Sequence, residues 1–144
     1  MFKRFLKRFS VEELTSSIHA SALSRIERLR ADDFQYDPAL KGEKNRIKVF
    51  MLAACQDRPK VVRLLLTAGL DPNTQLAAGE TPLMAAATWN SRETVQILLD
   101  AGADPNLVDE DGMTALDMAE QMAHRDVAEM LRGVGGRRAE EVGD

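Results

Sequence analysis

The side chains that could carry catalysis or bind a metal are few, and they lie apart in the sequence. The chain has two histidines, His19 and His124, and one cysteine, Cys55. No nucleophile stands beside a base, no ligands have metal-binding spacing, and no glycine-rich loop could cradle a phosphate. The acidic triplet at 109–111 lacks the alternating ligands and closing glutamate of a calcium loop. The sequence therefore predicts a protein without catalytic residues, cofactor or metal.

Residues 2–9 combine aromatic and cationic side chains at helical spacing. At about 100° per residue, the apolar side chains share one narrow sector of a helix and the basic ones fill the opposite side. The apolar group is Phe2, Phe5, Leu6 and Phe9, and the basic group is Lys3, Arg4, Lys7 and Arg8. One interpretation is contact with a membrane surface. The alternatives are a short helix folded back onto the domain, a partner-binding helix, and a segment without fixed structure.

Composition indicates a globular helical protein with an uneven charge. Hydrophobic residues make up 44% of the 144 residues, and only 5% are aromatic. Residues 1–46 carry 10 basic and 7 acidic side chains, whereas residues 47–144 carry 9 and 16. Because phosphate contacts need a basic face, the acidic body argues against binding to nucleic acid.

Neither a membrane span nor a signal peptide is predicted. The longest apolar run, Val49–Cys55, is far shorter than the roughly 20 residues that cross a bilayer. The basic N-terminus is followed by Ser10-Val11-Glu12-Glu13 and not by an apolar stretch. A single cysteine cannot form an internal disulfide. We expect a cytoplasmic protein.

The middle of the chain encodes a pair of helices. Thr81 can cap the first helix through its hydroxyl, and Pro82 suits the first helical position. Asn90 tolerates the left-handed conformation that ends a helix. A second helix is predicted from about Arg92 to Ala101, before a capping Gly102.

The same features recur at a spacing of 33 residues. Thr81 recurs as Thr114, and Gly69 recurs as Gly102. Asp-Pro-Asn occurs at 71–73 and again at 104–106, and the matching apolar positions are Val62 with Val95, Leu65 with Leu98, and Leu66 with Leu99. A period of about 33 with a Thr-Pro-Leu start resembles the ankyrin repeat. The family's usual Thr-Pro-Leu-His has Met84 in the histidine position of one copy and Asp117 in that of the next.

The resemblance covers residues 43–134, with about three repeats. It implies an all-α ankyrin-repeat solenoid of stacked antiparallel helix pairs with short hairpin loops. Residues 10–42 are predicted to form a helical cap or degenerate repeat, with a capping box at Ser10 and Glu13. Its helix runs from about Val11 to Arg30, or is split near 20–24. Residues 1–9 form the basic amphipathic segment, and residues 135–144 a mobile polar tail.

The resemblance also implies that the protein binds a partner protein. The predicted surfaces are the loop tips and the exposed side of each first helix. The loop candidates are Leu76, Ala77, Ala78, Glu80, Asp109, Glu110, Asp111 and Met113, and the helix candidates are Gln56, Thr88, Trp89, Gln121 and Met122. Trp89, the only tryptophan, is either an interface anchor or is covered by neighbouring loops. The triplet at 109–111 either meets a basic partner or forms a solvated turn. We expect a monomer, and a peripheral membrane adaptor held by residues 2–9 is the alternative function.

Overall fold

The computed structural model describes residues 17–29 and 37–142. Within these residues it contains eight α-helices, one 3₁₀ turn and no strand. In chain order they are α1 (Ser17–Ile26), the 3₁₀ turn (Pro38–Leu40), α2 (Glu43–Cys55), α3 (Pro59–Thr67), α4 (Pro82–Thr88), α5 (Arg92–Asp100), α6 (Ala115–Gln121), α7 (Arg125–Gly133) and α8 (Ala139–Val142). The predicted all-α fold class is confirmed.

The helices of the repeats stack in two layers. The first helices α2, α4 and α6 contact one another in sequence, and so do the second helices α3, α5 and α7. Each second helix also packs on the first helix of its own repeat. Short turns at 56–58, 89–91 and 122–124 join the two helices of each pair. The helix pairs therefore form the predicted side-by-side stack.

The first-helix layer is almost closed to solvent. All seven residues of α4 are buried, and so are Val49–Cys55 of α2. Phe50 is fully buried and heads the largest side chains of the core. A helix with apolar or small residues all round must be surrounded by other elements. The run of three alanines at 85–87 allows those neighbours to approach closely.

The second-helix layer is amphipathic, with one buried stripe per helix. Its fully buried positions are Val61, Val62, Leu65, Val95, Leu98, Val127 and Leu131, which are all among the predicted packing residues. Leu64, Leu66, Ile97, Leu99 and Met130 pack against the core but are only partly buried. The outer side of this layer carries the charged residues that keep it in water.

Side-chain caps start α4 and α6 as predicted. Thr81 Oγ1 accepts a hydrogen bond of 3.2 Å from the amide of Met84, and Pro82 opens the helix. Thr114 and Asp117 form a reciprocal capping box at α6. Asp117, which stands in the family's histidine position, also accepts a hydrogen bond of 2.8 Å from the amide of Ala139.

The turns between paired helices contain a left-handed residue at the same place in each repeat. Asp57, Asn90 and Ala123 have φ angles of 50°, 57° and 57°, and they lie 33 residues apart. The left-handed stop at Asn90 is confirmed. Ala123 has no side chain that could compensate, and this conformation costs an ordinary residue about 1–2 kcal/mol. The stacked helices on either side therefore impose the turn at Ala123.

The N-terminal cap differs from its prediction in two ways. Helix α1 ends at Ile26 and passes into a turn, so the expected end at Arg30 is wrong. It is continuous through residues 20–24, so the split is also wrong. A bidentate contact from Arg25 to Asp37, at 2.6 and 2.8 Å, ties the helix to the 3₁₀ turn. That hydrogen bond raises the pKa of the Arg25 guanidinium. The predicted capping box at Ser10 and the segment at 2–9 lie outside the described residues.

Residues 135–142 lie against the third repeat, whereas the sequence predicted a mobile tail. The amide of Arg137 donates to Asn106 Oδ1 at 2.9 Å, and its carbonyl accepts from Thr114 Oγ1 at 2.7 Å. Arg138 lies near Glu120, which also pairs with Arg132. The end of the described chain thus covers one side of α6.

Two hairpin loops precede α4 and α6, and they pair with each other. In the first, the Leu76 amide donates to the Glu80 carbonyl at 2.9 Å, and the second repeats this bond between Asp109 and Met113. The amide of Glu110 donates to the carbonyl of Ala78 across the two loops at 2.9 Å. Gly79 has a φ of 83°, and a Cβ there would lie 3.0 Å from the Cα of Asp109. Glycine is required at this position both by conformation and by the close approach of the loops.

We predict that Gly79→Ala destabilises the chain more than Gly112→Ala does. Gly112 has a similar φ of 74° but open space around it, so alanine there costs only the left-handed strain of about 1–2 kcal/mol. Alanine at 79 adds a clash with backbone that we expect to cost about 1–3 kcal/mol more. Urea unfolding of both variants and the parent measures the difference. Equal loss in the two variants would show that the loops separate freely.

Candidate functional site

The residue that ends each first helix forms a row along one face of the stack. Gln56, Trp89 and Met122 are the C-cap residues of α2, α4 and α6, and each is 33 positions from the next. Gln56 is exposed, while Trp89 and Met122 are partly exposed. We call these three residues the C-cap row. All three were predicted to lie on the open side of the first helices, and the structure places them there.

Trp89 stands at the centre of the C-cap row. Its ring packs against the core, and its backbone amide donates to the Ala85 carbonyl at 3.2 Å. The indole Nε1 is buried and has no hydrogen-bond acceptor among the described residues. A buried donor without a partner costs about 1–3 kcal/mol. Such an exception in an otherwise satisfied structure is a candidate for function.

Thr88 is not on the open face, so its predicted exposure is wrong. Its exposed fraction is 1%. Its hydroxyl donates to the Met84 carbonyl at 2.8 Å and lies 3.6 Å from Met118 Sδ in the next repeat. The following layer covers this position. The equivalent residue of the third repeat, Gln121, is exposed, because no further repeat covers it within the described chain.

Two of the predicted loop-tip residues are also buried. Glu80 is 4% exposed and Asp109 is 5% exposed, so their predicted exposure is wrong. Asp109 Oδ1 accepts bonds of 2.9 Å from the amides of Asp111 and Met113, and this carboxylate therefore shapes the turn. The remaining candidates are accessible in part or in full: Leu76, Ala77, Ala78, Glu110, Asp111 and Met113.

The residue before each second helix reaches back to the preceding layer. His124 Nδ1 lies 3.0 Å from the Ala87 carbonyl, and since a carbonyl only accepts, the ring nitrogen is the donor. Ser91 Oγ donates to the Cys55 carbonyl at 3.3 Å. Arg58 pairs with Glu27 at 3.3 Å. The spacing of positions 58, 91 and 124 could have identified this role, but three unlike side chains disguise it. His124 is a bridge between repeats.

Two asparagines bracket the loops of consecutive repeats. Asn73 Oδ1 accepts from the amide of Asp104 at 2.7 Å, and its Nδ2 donates to Gly102 at 3.5 Å. Asn106 repeats this pattern toward Arg137 and Gly135, at 2.9 and 3.1 Å. Sequence analysis noted the repeated Asp-Pro-Asn but not its function. The asparagines fix how each loop meets the next.

The outer charges of the second-helix layer pair across repeats. Arg63 lies 3.7 Å from Glu93, and Arg92 lies 2.6 Å from Asp126. Both pairs are exposed and contribute little to stability. They do neutralise much of that surface, whereas the C-cap row presents apolar and amide groups.

Cys55 is enclosed at the end of α2. Burial raises the pKa of its thiol to about 12, because the thiolate would lose its hydration. Among the described residues no three His, Cys, Asp or Glu side chains are placed to hold a metal ion. In the same part of the chain, no helix combines the length and the apolar character needed to span a bilayer.

A family model for ankyrin repeats, in three copies, matches residues 50–137, which is more than half of the chain. The chain belongs to the ankyrin repeat family. The match begins in the buried part of α2 and ends at Arg137, the residue bracketed by Asn106. Ankyrin repeats are general protein–protein interaction modules and are typically non-enzymatic. A search of the curated proteins found no match.

We predict that Cys55 is inert in the folded protein. With a pKa of about 12, only about one thiol in 10⁴ is ionised at pH 8, against roughly a quarter in the unfolded chain. Labelling by a chromogenic disulfide reagent should therefore be about 1,000-fold slower in buffer than in urea.

The raised thiol pKa also sets a pH dependence. Below about pH 8.5 both states keep the proton, and above it the unfolded chain releases the proton first, so stability falls as the pH rises. A Cys55→Ala variant should lack this part of the decline. Prompt labelling of the native chain would contradict the burial of Cys55.

Proposed function

We propose that this ankyrin repeat protein is a non-enzymatic module that binds a partner protein on the C-cap row and the adjoining loop tips. The accessible candidates there are Gln56, Leu76, Trp89, Glu110, Asp111, Met113, Gln121 and Met122. The observation that carries the proposal is Trp89, a partly exposed indole with an unsatisfied buried N–H.

The physical case for Trp89 rests on its rigidity and its position. One part of the ring is held by the core, so binding costs little side-chain entropy, and the remainder is open to a partner. Tryptophans in such settings are frequent hot spots of protein interfaces. The neighbouring Met122 adds a flexible apolar side chain that can adapt to different shapes. A small movement on binding would also let a partner's acceptor reach the indole N–H.

We also propose that the protein is cytoplasmic and monomeric and does not bind nucleic acid. The positions that bury Ala87 and Thr88 between layers are occupied by Glu120 and Gln121 in the last repeat. Glu120 pairs with Arg132. A polar end face of this kind disfavours stacking of a second copy, because its charges would lose water on burial.

We predict that Trp89→Ala lowers the affinity for a partner captured from the native cell extract by at least about 30-fold, which corresponds to a hot-spot loss of about 2 kcal/mol. Trp89→Phe keeps most of the packing and removes the N–H, and we expect an intermediate loss. Gln96→Ala, on the outer side of the same repeat, should bind normally. Calorimetry on the purified pair measures all three. Unchanged affinity for Trp89→Ala would remove Trp89 as the anchor.

The alternative function is a peripheral membrane adaptor held by residues 2–9. It is favoured by the sequence alone, through the aromatic and cationic faces of that segment. On this alternative, full-length protein sediments with anionic vesicles and a variant lacking residues 2–9 does not. Because a single short helix binds weakly, the difference should shrink in high salt. Equally low binding by both proteins would exclude the membrane role.

A further inference from the structure

The first repeat replaces the hairpin loop of its neighbours with helix. Helix α2 has 13 residues, against 7 in both α4 and α6. Its buried part, Val49–Cys55, is 33 positions before α4, so the extra residues Glu43–Lys48 correspond to the loop at 76–81. They line a shallow groove with the segment that leads into that loop. We call residues 43–48, 76–81 and 109–114 the tip row.

The charge of the tip row changes sign along the stack. The helical tip of the first repeat carries Lys44, Arg46 and Lys48 against one acid, and Lys41 precedes it. The middle tip begins Leu-Ala-Ala, and its one acid is the buried Glu80. The last tip is Asp-Glu-Asp, with Glu110 and Asp111 exposed. The sequence of tips is therefore basic, apolar and acidic.

The basic tip is open to a ligand. Lys44 and Lys48 lie one helical turn apart on α2 and are both exposed. Neither is in an ion pair with any residue that the structure describes. By contrast, Arg58, Arg63 and Arg92 each pair with a carboxylate of another repeat.

The two charged tips are far enough apart to act separately. Adjacent packed helices lie about 8–10 Å apart, so two steps along the stack separate the tips by roughly 16–20 Å. This exceeds the screening length of about 8 Å at physiological salt. Each tip therefore selects the charge of the partner segment directly opposite it, and the middle tip and Trp89 select apolar side chains.

We propose that the tip row recognises an extended segment of a partner protein with an acidic end, an apolar middle and a basic end. The acidic end lies on Lys44 and Lys48, the apolar middle on Leu76 and Trp89, and the basic end on Glu110 and Asp111. This inference rests on the proposed function and adds the chemistry of the partner. Such a segment needs about five or six extended residues between its charged ends, at roughly 3.3 Å each.

Three synthetic peptides of about ten residues with the same apolar centre test the proposal on the full chain. The graded peptide has glutamates at one end and lysines at the other. The mixed peptide has the same composition with the charges alternating at each end, and the basic peptide has lysines at both ends. At low ionic strength we expect the graded peptide to bind at least about 10-fold more tightly than either of the others. Amide shifts in labelled protein should appear at all three tips.

A double variant, Lys44→Glu with Lys48→Glu, reverses the expected order. Its tip row is acidic at both ends, so it should prefer the basic peptide over the graded one by about 10-fold. Lys60→Glu changes an exposed lysine of α3 outside the tip row and should leave the original order intact. The thermal unfolding midpoints of the variants are compared first, to show that both fold.

Equal binding of the graded and mixed peptides, or an unchanged order in the double variant, would overturn the proposal. The failure of this proposal is distinguishable from the failure of the proposed function. If the partner captured from extract still depends on Trp89 while the peptides show no preference, the binding surface stands and its charge selectivity falls. Peptide preference without any effect of Trp89→Ala would leave the charge selectivity and remove the anchor.

Discussion

Burial of the first-helix layer from several sides at once is the constraint on which the rest of the structure depends. In α4 every side chain from Pro82 to Thr88 is enclosed by α5 of its own repeat and by α2 and α6 on either side. Each fully buried leucine or valine contributes about 1.5–3 kcal/mol, whereas ordering a residue costs about 1–2 kcal/mol of backbone entropy. A lone helix pair has too few such side chains. Its stability comes from its neighbours, which makes the stack one cooperative unit.

Much of this fold could be predicted because its determinants are local and repeat. Thr81 and Pro82 set a helix start, Asn90 sets its end, and a second copy 33 residues later confirms the unit. The burial of Thr88 could not be predicted in the same way, because Met118 of another repeat covers it. Asp109 reads as an exposed acid, yet it closes its own turn. Which polar groups face inward is decided by contacts between layers, and local sequence does not encode those contacts directly.

The candidate site shows the same division. Trp89 was predicted as a surface residue, since the period places it at a helix end. The bridges made by Ser91 and His124 were not foreseen, because a hydroxyl and an imidazole do similar work there and share only a position. The helical tip at 43–48 likewise has no signature of its own. It is recognised by what is missing, since this segment lacks the glycine and the threonine that shape the loops at 76–81 and 109–114.

The asparagine brackets have a consequence for how the molecule comes apart. A linear array of layers loses order from its ends inward, as a zipper does, and the outermost layer is normally the weakest. Here Asn106 grips residues 135–137 as Asn73 grips the loop before them, and α8 closes over α6 through Asp117. The C-terminal layer is thus latched by backbone that no further repeat supplies. Fraying from that side has to release this latch before any core residue meets water.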